Sequence, residues 1–385
     1  MTTALDPVAS HAASTDSFLA ALDRGLARQQ QVLPDWTPAA QEAADRFLAG
    51  GRLFVGGPAP DFVGEASGRS GGLGPLTALA NAESPGPQDA AVMGFSGPDQ
   101  GEVAVVRGLN EQGVLTIGFG SRAQRPEIAA ACAWWIDAQA EESPAGAPIA
   151  GILDVASLWS FIGEFVAACT RQGAMPPIWQ SAMIPESAAR NRRYSGVRVH
   201  ADLQVDPVPV TRIGQAYLST LRSHLAGFVA GERDRLRQAG EEISLARACG
   251  CRAWFFMDGG HMRAAVLALP DGPQGLEILE RPPDLAGLTA SLQPGDLVYV
   301  QGYTVPPSAL VTAAHAVGAR VCASMAGSHG QPAPRTAADL VLDAQWQLGD
   351  AAVPVPGYDI PILPPSGFMA AAIYWALMLE AQAAR

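Results

Sequence analysis

Cys249-Gly250-Cys251-Arg252-Ala253-Trp254-Phe255-Phe256-Met257-Asp258-Gly259-Gly260 sets an apolar run between two glycine-marked breaks. It follows the helix-like stretch Glu241–Ala248 and so reads as helix, short loop, buried strand and tight turn. The first half of the chain has the same order. Ala39–Leu48 leads through Ala49-Gly50-Gly51-Arg52 into Leu53-Phe54-Val55 and then Gly56-Gly57. A pattern that occurs twice has to be read as a repeat before any single motif is interpreted.

The parallel continues downstream. Ala90–Met93 is followed by Gly94-Phe95-Ser96-Gly97-Pro98, and Leu297–Val300 by Gly302-Tyr303-Thr304-Val305-Pro306. Helical stretches come next, Glu102–Asn110 and Ser308–Val317. They end at Gly113 and Gly318 and lead into the apolar runs Leu115–Phe119 and Arg320–Ala323. Apolar strands that do not alternate in polarity, separated by helices, predict parallel sheets covered on both faces. A third pair closes each copy: Asp154-Val155-Ala156-Ser157 opens an apolar helix through Val166, and Leu363-Pro364-Pro365-Ser366 opens one through Leu379, with each serine placed as an N-cap. A helix over Asp16–Gln31 begins the first copy and one from Ile213 to Ala248 the second. The reading is two α/β domains, residues 16–200 and 210–385, with Gln180–Pro209 as the connection.

Composition bounds the function. A chain of 385 residues with 48% hydrophobic and 16% charged residues is long enough for two cores. Its net charge of −12, without a basic block, argues against nucleic acid or an anionic membrane as partner. All 25 basic residues are arginine, which excludes a Schiff-base lysine and a Walker-type loop. Five scattered cysteines do not form a disulfide framework and fit a reducing compartment, and Cys249-Gly250-Cys251 reads as a structural helix end rather than a redox or metal pair. Met1–Ser17 lacks a signal-peptide pattern, and the longest apolar stretch, near Phe368–Leu379, is too short to span a bilayer, so a cytoplasmic protein is expected. The histidines lack an i, i+4 pair, so no metal is expected, and the glycines lack a dinucleotide fingerprint, so no nucleotide cofactor is expected.

The ordered elements resemble the sugar isomerase (SIS) fold, a five-stranded parallel sheet flanked by helices. Arg69-Ser70-Gly71-Gly72-Leu73 is similar to an Arg-Ala-Gly-Gly-Leu segment of bacterial SIS proteins, and Gly260-His261 to the Gly-His of their first turn. Pro176–Ala182 with Asn191-Arg192 resembles the tail that follows the last helix in that group. The resemblance implies two SIS domains joined as a pseudo-dimer, with a homodimer of pseudo-dimers possible. It also implies a sugar or sugar phosphate bound at the carboxyl ends of the strands, between the domains.

In that family, hydroxyls of two turns hold phosphate, and this chain departs from both. The first copy has Gly56-Gly57-Pro58-Ala59-Pro60 and keeps only Ser96-Gly97 of the later turn; the second has Met262 after His261, and Thr304 followed by Val305. Replacement donors are Arg69, Ser121, Arg122 and Ser157 in the first copy and Arg263, Ser324 and Ser366 in the second. The first copy, with Gly57, is the preferred site. Aldose–ketose isomerisation needs a base and an acid, roles that the resemblance gives to Glu65 and to His261 of the other copy. Glu164 reads either as a second carboxylate facing the cleft or as an exposed helix edge. Two functions stay open: a sugar (phosphate) isomerase, or a non-catalytic sugar-binding module.

Overall fold

The computed structural model describes residues 7–81, 84–95, 101–142, 146–258, 275–279 and 285–384. The first copy runs α1 (Pro7–Leu48), β1 (Leu53–Gly56), α2 (Pro60–Ala66), β2 (Leu76–Ala78), β3 (Ala90–Gly94), α3 (Glu102–Glu111), β4 (Leu115–Gly120), α4 (Pro126–Ala131), β5 (Trp134–Asp137) and α5 (Ile149–Arg171). A connector carries α6 (Ser187–Tyr194). The second copy runs α7 (Arg212–Ala248), β6 (Ala253–Met257), β7 (Glu277–Ile278), α8 (Leu285–Ser291), β8 (Leu297–Gly302), α9 (Ser308–Val317), β9 (Arg320–Gly327), β10 (Leu340–Gln347) and α10 (Ser366–Ala383). Each copy is a parallel five-stranded sheet, ordered β2-β1-β3-β4-β5 and β7-β6-β8-β9-β10, so the repeat read from the sequence extends to topology.

Strand alternation divides each sheet between two cores. Leu53, Val55, Ala90, Val92, Leu115 and Ile117 join a core that continues into the second copy through Ala253, Phe255, Leu297 and Tyr299. The alternate residues face outward onto covering helices: Phe54, Ala91 and Met93 pack with Val106 and Leu109 of α3, and Trp254, Phe256, Val298 and Val300 with Leu310 and Ala313 of α9. Burial on both faces explains the unbroken apolar runs. The shared core is built by α1, α5, α7 and α10, which pack against one another between the two sheets. The two copies therefore form a pseudo-dimer around one shared core, and each sheet keeps a smaller core of its own on its outer face.

Three helix expectations are corrected. Asp16–Gln31 and Ala39–Leu48 belong to one helix that passes through Pro34 and Pro38. Pro38 has no N–H for the Pro34 carbonyl, and the Thr37 hydroxyl donates to that carbonyl at 2.8 Å instead, which repairs the break expected there. The last helix of the first copy starts at Ile149, not after Ser157. Ser157 is therefore no cap: it lies inside α5, donates to the Leu153 carbonyl at 3.1 Å and accepts from Gln29 at 2.9 Å. With that start, α5 is long and apolar enough to cross a membrane, which the sequence reading missed, but its apolar window is wholly buried inside the protein. Glu164 takes neither of its expected roles. Its carboxylate is buried and accepts the backbone N–H groups of Thr211 (2.7 Å) and Gly214 (2.9 Å), so it caps α7 from α5.

Candidate functional site

Glu65, at the end of α2, is fully buried, and so is Arg69, one helical turn further along the chain. Their side chains point across the boundary between the copies. Arg69 Nη2 lies 3.3 Å from Glu65 Oε1 and 3.2 Å from Asp350 Oδ2, and it donates to Ser366 Oγ at 2.5 Å. Ser366 Oγ donates to Asp350 Oδ2 at 2.7 Å, and the Ser366 N–H donates to Asp350 Oδ1 at 3.1 Å. On the other side, Trp159 Nε1 of α5 donates to Glu65 Oε1 at 3.0 Å.

This arrangement corrects the expected role of Ser366. It is the first helical residue rather than the cap, and Asp350 from the preceding loop supplies the carboxylate at the start of α10. Asp350 (φ +48°) and Leu363 (φ +68°) both adopt left-handed backbone, which a non-glycine residue takes at a cost. Contacts from both copies hold that loop: the Leu363 N–H donates to the Gly71 carbonyl of the first copy at 2.8 Å, and the Tyr217 hydroxyl of α7 in the second copy donates to the Pro364 carbonyl at 2.8 Å.

Electrostatics follow from the burial. Desolvation pushes the Glu65 carboxyl up to about 7, against the opposing pull of the Arg69 guanidinium and the Trp159 N–H. Asp350 is raised by the same cause, with Arg69 and Ser366 opposing it. Glu65 Oε2 and Arg69 Nε and Nη1 are buried with no hydrogen-bond partner. Chemically this is an acid group poised near neutrality, but the surrounding side chains seal it from solvent.

Two cavities lie at the carboxyl ends of the sheets, where this architecture presents its turns. The one in the first copy measures about 350 Å³ and is lined by Val55, Gly57, Val63, Leu79, Met93 and Glu102, among others. Gly57 has to be glycine: its φ is +106°, and a Cβ would come within 2.3 Å of the Gly94 carbonyl oxygen. The one in the second copy measures about 30 Å³, room for a water molecule rather than a sugar, and is lined by Asp258, Gln301, Tyr303, Ser324, Trp346 and Ser366, among others. Ser324 and Gln301 sit beside the buried Tyr299 hydroxyl and form a polar cluster with it.

The expected site residues are thus divided. Gly57 lines the first cavity, Ser366 lines the second, and Glu65 and Arg69 meet Ser366 in the sealed network rather than lining either cavity. Ser121 is buried in the turn after β4, where its carbonyl accepts from Gln124 and Arg125. Thr304 is half-buried after β8. Ser96, Gly97 and His261 lie outside the described residues.

Sequence reasoning missed Asp350 and Trp159. Asp350 stands 281 residues from its arginine partner, and nothing local marks it. The connector was read as a link that carries a family-like tail, with no role for Arg190 or His200. Its Arg190 donates to Asp359 at 2.9 and 2.8 Å and to the Tyr358 hydroxyl at 2.9 Å, and His200 Nε2 lies 3.2 Å from that hydroxyl. The connector so fastens the loop that carries Asp350.

No protein-family model and no curated protein sequence matches the chain. Solved structures do. The C-terminal domain of glucosamine-fructose-6-phosphate aminotransferase from Francisella tularensis superposes with a TM-score of 0.53 at 12% identity, covering 94% of this chain and 95% of that one. A candidate phosphosugar isomerase from Clostridium difficile 630 gives 0.56 at 7% identity, covering 96% and 92%. A candidate sugar-binding protein from Salmonella typhimurium LT2 gives 0.51 at 11% identity, covering 94% and 98%. At these identities the likeness is one of fold, over nearly the whole of each chain.

Proposed function

We propose that this chain, which has the tandem SIS fold, is a binding protein for a sugar-like small molecule that enters the cleft at the carboxyl edge of the first sheet. The observation that carries this reading is the contrast between that cleft of about 350 Å³ and the sealed position of Glu65. A base for enediol formation must come within about 3 Å of the proton it removes. Glu65 instead spends its reach on Arg69 and Trp159, and its fit is tight: a Cβ on Gly367 would lie 2.2 Å from Oε1. The fold shared with sugar-handling proteins supports the ligand class. Under this reading the Glu65–Arg69–Asp350–Ser366 network fixes the second copy against the first.

One observation favours a second reading, an isomerase with Glu65 as base and His261 as acid: a carboxyl raised to about 7 has the basicity such a step uses. One experiment decides between them. Pentoses, hexoses, amino sugars and their phosphates are screened by thermal shift, and those that bind are incubated in deuterium oxide. The binding reading expects stabilisation without deuterium at the carbon next to the carbonyl. Exchange by the wild type that Glu65→Gln abolishes would establish the isomerase instead.

A further inference from the structure

The cleft of the first copy is shaped against the ligand class its fold suggests. Its volume of about 350 Å³ falls within the range of small-molecule sites, roughly 300–1,000 Å³. A phosphate monoester there would need several donors or a cation to replace its hydration. The walls offer the partly exposed Val63, Leu79 and Val105, with the buried Val55 and Met93 behind them, and Gly57-Pro58 occupies the first turn without a hydroxyl. Among the described residues that line the cleft, the single charged side chain is Glu102, an acid in the first turn of α3. That position is where a helix N-terminus otherwise favours a bound anion. The Glu102 carboxylate is held there by Arg125 at 2.9 Å, both side chains being about nine-tenths buried, so the guanidinium is already engaged by an internal anion.

Resting on the reading that a sugar-like ligand enters this cleft, we infer that the ligand is uncharged, presents an apolar face to the Val63–Leu79–Val105 wall, and is not a phosphate ester. Glu102 is the residue that determines this specificity. Its carboxylate repels a phosphate dianion while accepting a hydroxyl, and the apolar wall rewards a ring or alkyl substituent that leaves water.

Methyl-labelled methionine provides a local probe, since Met93 lines the cleft and its resonance is identified by its loss in Met93→Leu. The wild type is titrated with phenyl β-glucoside, glucose 6-phosphate and inorganic phosphate. The expected result is a saturable shift of the Met93 methyl with the phenyl glucoside and at least tenfold weaker response to either phosphate. Val105→Trp, at a 54%-exposed position on the cleft wall, should weaken the glucoside at least tenfold. Glu102→Gln should bring glucose 6-phosphate binding up at least tenfold. A wild type that takes glucose 6-phosphate as well as the glucoside overturns the inference and leaves ligand binding in this cleft intact. A Met93 resonance that responds to none of the three overturns both. An unchanged phosphate response in a folded Glu102→Gln variant removes Glu102 from the selection and with it the inference.

Discussion

Replacing Glu65 with glutamine tests the buried network directly, because glutamine copies the neutral carboxyl in shape and cannot ionise. The folded-state value of about 7 against an ordinary 4.5 corresponds to about 3 kcal/mol at ~1.36 kcal/mol per pH unit. The sign follows from proton counting. Between 4.5 and 7 the folded chain holds a proton at Glu65 that the unfolded chain has released, so this group's contribution to stability is full below 4.5 and falls as pH rises through that window. Above 7 the loss is complete and constant. Glu65→Gln has no such slope, so the variant should gain on the wild type by about 3 kcal/mol between roughly pH 4.5 and 8. Urea unfolding followed by tryptophan fluorescence at several pH values gives both free energies, and their difference cancels every distant titrating group. A difference that stays flat to within about 0.5 kcal/mol, or one that favours the wild type as pH rises, would refute the claim that burial outweighs the Arg69 charge at Glu65.

Arg69→Met removes the cation between Glu65 and Asp350 and should cost about 3–5 kcal/mol, with at least ~1 kcal/mol recovered when Glu65→Gln is added; a single-variant loss under about 1 kcal/mol in urea unfolding would mean the network does not fasten the copies. Gly367→Ala places a methyl 2.2 Å from Glu65 Oε1, so thermal unfolding should show a loss of about 1–3 kcal/mol, and an unchanged melting temperature would contradict the close contact. Glu164→Ala strips the cap from the start of α7, orphaning the N–H groups of Thr211 and Gly214; about 1–2 kcal/mol should be lost in chemical denaturation, and no loss would show that water replaces the carboxylate there.

What the sequence disclosed depended on whether the deciding interaction was local. Strands buried on both faces announce themselves as apolar runs, and glycines mark their ends, so β1, β3, β4, β6 and β8 and helices α3 and α9 were legible with close boundaries. The start of α5 was not. Pro148 stands at its N-cap without a side-chain hydrogen bond, so Ser157, nine residues further on, looked like the signal. The continuity of α1 was hidden because the compensation for Pro38 is a single threonine hydroxyl. Glu65 was singled out as a base and Arg69 as a ligand donor, but the place each takes depends on Asp350 and Ser366 from the other copy. Glu164 misled for the same reason: its two N–H partners lie 47 and 50 residues away.

The shared core of α1, α5, α7 and α10 means that the second copy is a partner the first never has to find. In a dimer of identical chains every substitution appears twice, and both carboxyl edges must change together. Here each change appears once. One edge is open, apolar and about 350 Å³ in volume, while the other has closed to about 30 Å³ over a polar floor. Covalent tethering makes the association independent of concentration. It also removes the demand for symmetry that would forbid such a division of labour.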